Sequence, residues 1–171
     1  MARLSEWYGR LLDALVVAAC ALLLLMTVMI GVDVLSRNLG GGGVPVSNEI
    51  SEDILYLMTL LAAPWLLRQG QHIRVDILLR ALPARIGWLM EWAGDILGLA
   101  CSLYFVWYGW AVLAASHAAG AITIKTLITP EWWMLAPLPV AFLLLAIEFL
   151  FRMHRLALAE RAPRTDAVSA S

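Results

Sequence analysis

Four apolar runs, at 14–32, 50–67, 96–115 and 132–151, constrain this chain more than any other feature. Each approaches the ~20 residues with which an α-helix crosses ~30 Å of hydrocarbon. Inside lipid the backbone finds no water to bond, so runs of this length satisfy their N–H and C=O groups as helices. The expected fold is an all-α membrane protein with four transmembrane helices. The bulk composition agrees, with 62% hydrophobic and 15% charged residues and a mean hydropathy of +0.81, well above a soluble domain.

The basic residues sort by side. Arg3 and Arg10 precede the first run, Arg68, Arg74, Arg80 and Arg85 separate the second from the third, and Arg152, Arg155, Arg161 and Arg164 follow the fourth. The other two connections hold only Arg37 and Lys125. By the positive-inside rule both termini and the middle connection are expected to be cytoplasmic, with 33–48 and 116–131 outside. The box "VAAC" at 17–20 resembles a lipoprotein cleavage site, but the apolar run continues to Val32, longer than a signal's core, so the first helix is expected to stay uncleaved. The membrane domain is expected over 1–161. The tail 162–171 has too few apolar residues to order itself.

Several function classes lose support. The net charge of −1 suggests no nucleic-acid partner. Cys20 and Cys101 both sit in apolar runs, and four ligands at zinc spacing are missing, so neither a disulfide framework nor a metal site is expected. Pumps and carriers keep ionisable groups near the midplane, yet the centres of all four runs have none. His72 and His154 fall at one edge and His117 at the other, which does not suit a transmembrane haem pair. No catalytic residues or cofactors are expected. Glu148 and Arg152, four residues apart, read as an interfacial helix ion pair.

Other features look suited to contact. Gly94, Gly98 and Ser102 recur every four residues, the small-residue spacing that lets helix backbones approach, either within the unit or against a partner. Tyr104, Trp107 and Tyr108 form an adjacent aromatic patch, and Trp132 and Trp133 suit an interfacial belt. In "NEISED" at 48–53, Asn48 is a candidate cap, and Glu49, Glu52 and Asp53 suit the positive end of a helix dipole. The apolar stretch beyond them, 54–67, spans only about 21 Å as a helix. Either the bilayer thins there, or the acidic turn sits at membrane depth and finds donors, making Glu49 and Glu52 candidate contact residues.

The stretch "RQGQHIRVDILLRALPAR" at 68–85 places charge between two spans. Val75, Leu78, Leu79, Leu82, Ile86 and Leu89 follow steps of three, four and seven and make one helical face apolar, while Asp76, Arg80 and Arg85 fall elsewhere, which predicts a short amphipathic helix over 74–82 on the bilayer surface. Pro83 suits the first turn of the next helix. His72 and Asp76 are near enough to hydrogen-bond, but two ligands are too few for a metal. The candidate interfacial foot is therefore His72, Arg74, Asp76, Leu78, Leu79 and Arg80.

Together, "NEISEDILYLMTLLAAPWLLRQGQHIRVDILLRALP" and the later "PEWWMLAPLPVAF" resemble the small membrane subunit, of DctQ type, of tripartite ATP-independent periplasmic (TRAP) transporters. The likeness runs across all four spans. Its most specific piece is Gly70, His72, Ile73, Val75, Asp76 and Leu78, with an acidic helix start at Glu49 and a weaker match at Leu138 to Val140. Two departures stand out: Glu52 and Asp53 follow Glu49 where many members carry a basic residue, and Pro64 lies where Gly and Ala are usual.

The resemblance implies a multi-pass protein of the bacterial inner membrane that scaffolds a large membrane subunit. The large subunit holds the transport path, and a periplasmic solute-binding protein delivers an organic acid, such as a dicarboxylate, for sodium-coupled uptake. It assigns no catalytic or substrate-binding residue to the small subunit. The rival reading is a membrane anchor of a redox or other multi-subunit complex.

Overall fold

The computed structural model describes residues 2–70 and 84–158. Helix α1 covers Ala2–Asn38, α2 covers Ser47–Arg68 and α3 covers Ala84–Ala119. A hairpin follows, β1 at Ile122–Ile124 and β2 at Ile128–Pro130, then a single turn, α4, at Trp132–Leu135, and α5 at Pro137–Leu158. Four helical stretches are long and apolar enough to cross a bilayer: Ser5–Asn38, Ser47–Arg68, Ile86–Ala119 and Trp132–Ala157. The expectation of an all-helical chain is amended by the two short strands. The predicted surface helix at 74–82 and Pro83 lie outside the described residues.

The helices pack as a row. α1 lies on α2, α2 on α5 and α5 on α3, so the two longest helices stand at its ends. A row buries less than a closed bundle, and its core is small: Leu12, Leu67, Leu145, Ala146 and Leu156 are buried, while much of α1 and α3 is exposed apolar surface. At 37 and 36 residues, α1 and α3 are each about 54 Å or more in length, so they tilt or project beyond the hydrocarbon.

The turns between elements follow local chemistry. Between α1 and α2, Gly43 adopts φ 80°, where a side chain would be strained. That turn lets the Val44 N–H donate to the Asp33 carboxylate at 2.6 Å, while Arg37 pairs with the same side chain at 3.0 Å. Asn48 does not cap α2: the helix starts at Ser47, after Val46, with no side-chain cap bond. α2 continues through the buried Pro64 to Arg68, and Gly70, just past the Gln69 cap, has the φ of 71° usual for a left-handed stop.

Candidate functional site

Two polar layers bracket an uncharged middle. Among the described residues, the helices carry no Asp, Glu, Lys, Arg or His between Asp13 and Asp33, Asp53 and Arg68, Asp95 and His117, or Glu131 and Glu148. Buried charge is expensive in hydrocarbon, and its restriction to two layers on either side of that middle suits a structural role there.

The first layer gathers all four long helices. Glu148 of α5 is fully buried, and its carboxylate meets Arg155 at 2.7 Å and Arg68 of α2 at 3.7 Å. Arg68 also donates to the Ser5 carbonyl of α1 at 3.0 Å. Arg152, likewise buried, pairs with Asp95 of α3 at 3.1 Å and donates to the Leu67 carbonyl at 3.2 Å. The sequence spacing suggests a pair between Glu148 and Arg152 along one helix. In the structure these two side chains reach across to α2 and α3. Near them the Tyr8 hydroxyl donates to the Leu144 carbonyl at 2.7 Å, and the Trp65 indole donates to Asp13 at 2.9 Å.

Sequence reasoning placed the third span from residue 96 and so passed over Asp95 and Glu91, both buried here. A signal existed. Glu91, Asp95, Gly98, Ser102, Gly109 and Ser116 follow steps of three, four and seven, a small and polar stripe on one helical face. Two of its members lie tight against α5. A Cβ at Gly98 would collide with the Phe149 ring, and one at Gly109 would come within 2.9 Å of Leu138. Ser102 is buried and donates to the Gly98 carbonyl of its own helix at 2.8 Å. Gly94 differs: a Cβ there would meet nothing within 4 Å. The structure thus brings Gly98 and Ser102 to the α5 side and leaves Gly94 open. Of the aromatic patch, Tyr104 and Tyr108 lie 4.4 Å apart by ring centroids, and Trp107 is exposed.

The second layer joins the hairpin to α2. The Glu49 carboxylate accepts the Thr126 N–H at 2.7 Å and the Leu127 N–H at 3.2 Å, while Lys125 pairs with Glu52 at 3.4 Å. At the base of the hairpin, Gly120 with φ 60° ends α3, and Ser116 donates to Glu131 at 2.8 Å. The hairpin therefore straps the end of α3 to the first turn of α2, across the row from it. The donors for Glu49 come from this chain's own loop. His72, Arg74, Asp76, Leu78, Leu79 and Arg80 lie outside the described residues.

These contacts anchor helix to helix and the hairpin to α2. Among the described residues, no group of three or more His, Cys, Asp or Glu is placed to hold a metal ion, and both cysteines are free. A family profile described as "Tripartite ATP-independent periplasmic transporters, DctQ component" matches residues 26–159. The chain belongs to the DctQ family. No curated protein is similar enough to it to count as a match.

As a DctQ protein it is the small membrane subunit of a TRAP transporter, a component of a transporter and not a member of an enzyme family. TRAP systems are tripartite, which implies a large membrane subunit and a binding protein beside it. The matched region takes in Glu49, Asp95, Glu148, Arg152 and the hairpin, so both polar layers are built within the DctQ region, with Ser5, Tyr8 and Asp13 of α1 as additions from before it.

Proposed function

We propose that this DctQ subunit is a scaffold for the large membrane subunit of a sodium-coupled TRAP system that takes up organic acids such as dicarboxylates. A solute-binding protein outside the membrane delivers the acid. The subunit resides in the bacterial inner membrane with both termini in the cytoplasm, an orientation supported by the arginines that precede the first span, separate the second from the third and follow the fourth. The surface helix at 74–82 would rest at that cytoplasmic face, with Leu78 and Leu79 toward lipid and Arg74 and Arg80 near phosphates.

The observation that carries this reading is the pair of clamped layers around an uncharged middle. An ion-conducting subunit needs polar groups where the ion crosses, whereas a scaffold needs fixed helix positions and broad apolar sides. The exposed faces of α1 and α3 supply such sides, and the arginine layer and the hairpin fix the spacing. Co-purification of tagged subunit with its large partner, before and after deletion of the 74–82 segment, tests the scaffold role. Loss of the large subunit from the membrane when this chain is missing supports it. A large subunit that inserts, stays folded and transports alone contradicts it.

A further inference from the structure

The hairpin is built with its polarity reversed for a strand pair at the end of a protein in water. Its register places Ile122 opposite Pro130, Thr123 opposite Thr129 and Ile124 opposite Ile128. Side chains alternate between faces along a strand, so the isoleucines and Pro130 share one face and the threonines the other. The threonines are half-buried, whereas Ile122, Ile124 and Ile128 are 56%, 81% and 70% exposed. Leu127 at the tip is exposed as well. A contiguous apolar face of this kind marks contact with something other than water.

Depth indicates what that is. The tip is held at Glu49, and the helical rise from Glu49 to Arg68 in the arginine layer is about 28 Å. On α1 the rise from Asp13 to Asp33 is about 30 Å. Both match the ~30 Å of a bilayer's hydrocarbon, so the acidic turn and the hairpin pinned to it sit at its boundary, not above it. The strand that follows runs directly into Trp132 and Trp133, residue types that favour this level.

We propose that the hairpin is an interfacial flap whose isoleucine face lies among the lipid headgroups and upper acyl chains of the bilayer. Its backbone N–H groups and Lys125 satisfy Glu49 and Glu52 from one side, and its isoleucines present an apolar skin to lipid on the other. The flap thereby makes up the apolar length that α2 lacks between 54 and 67. The bilayer need not thin around the acidic turn.

Spin labels on single cysteines test this, in the full-length chain with Cys20→Ala and Cys101→Ala, reconstituted in phosphatidylethanolamine and phosphatidylglycerol nanodiscs. Labels go at Ile124→Cys and Ile128→Cys, with Val28→Cys as a lipid-facing reference and Leu39→Cys as a loop reference. Collisions with oxygen and with a water-soluble nickel chelate are then compared. Labels on the flap are expected to favour oxygen over nickel, approaching the Val28 position. Nickel accessibility equal to that of Leu39 would place the flap in water and overturn the proposal. So would labels closed to both quenchers when the large subunit is present, which would make the face a protein contact.

Discussion

Arg152 and Asp95 meet at 3.1 Å, with both side chains buried, and so tie α5 to α3 at the end where Glu148 ties α5 to α2. Removing one member of a buried pair withdraws the nearest opposite charge from the other. Asp95→Ala is therefore expected to destabilise the fold by about 3–5 kcal/mol. Asp95→Asn should cost less, since it still offers an acceptor oxygen to the guanidinium. Thermal unfolding in lipid nanodiscs measures both. Equal stability of wild type and Asp95→Ala would show that the pair holds nothing.

A second prediction concerns the fully buried Glu148, whose two arginine partners lie on different helices. Glu148→Ala leaves Arg68 and Arg155 without their shared anion and without an acceptor oxygen. A drop of about 3–5 kcal/mol in stability is expected. A paired Arg68→Gln change should recover part of it, because the excess positive charge falls. Double-mutant cycles read the coupling, and strict additivity of the two changes would deny it.

Glycines on α3 separate packing from open surface. Gly98→Leu drives a side chain into the Phe149 ring, an overpacking expected to cost about 1–3 kcal/mol. Phe149→Ala should relieve part of that cost. Gly94→Ala has open space around it and should be neutral, or stabilising by about 0.5–1 kcal/mol through helix propensity. Melting curves of the three variants decide this. Gly94→Ala falling as far as Gly98→Leu would place an unrecognised contact at Gly94.

Glu49→Ala removes the acceptor for two backbone donors at the hairpin tip. Hydrogen exchange at Thr126 and Leu127 is expected to accelerate, while amides in the middle of α2 stay protected. Glu52→Ala breaks only an exposed pair with Lys125 and should change exchange much less. Unchanged exchange at the tip in Glu49→Ala would mean that the carboxylate does not hold the strap.

The residues legible in the sequence were those whose apolar character is uniform along a run. Four long apolar stretches announce four helices, because each approaches the length that crosses a bilayer. The stripe on α3 marks Asp95 as facing a neighbour, but its partner Arg152, 57 positions away, was not legible. Nor did the spacing of Glu148 and Arg152 reveal that both reach other helices, because proximity along one helix says nothing of which neighbours compete. The hairpin escaped notice for another reason. Its strands are three residues each, too short for alternation to stand out beside a span, and its isoleucines face outward. Glu49 and Glu52 stood out by their position at a helix start, though their donors came from a loop whose shape the sequence did not suggest.

The scaffold role is tested most directly by uptake in proteoliposomes holding the large membrane subunit, with its binding protein outside and an imposed inward sodium gradient. With this DctQ subunit present, labelled dicarboxylate or a related organic acid should accumulate. Omitting the subunit, or collapsing the gradient, should abolish accumulation. Full uptake by the large subunit and binding protein alone would contradict the account.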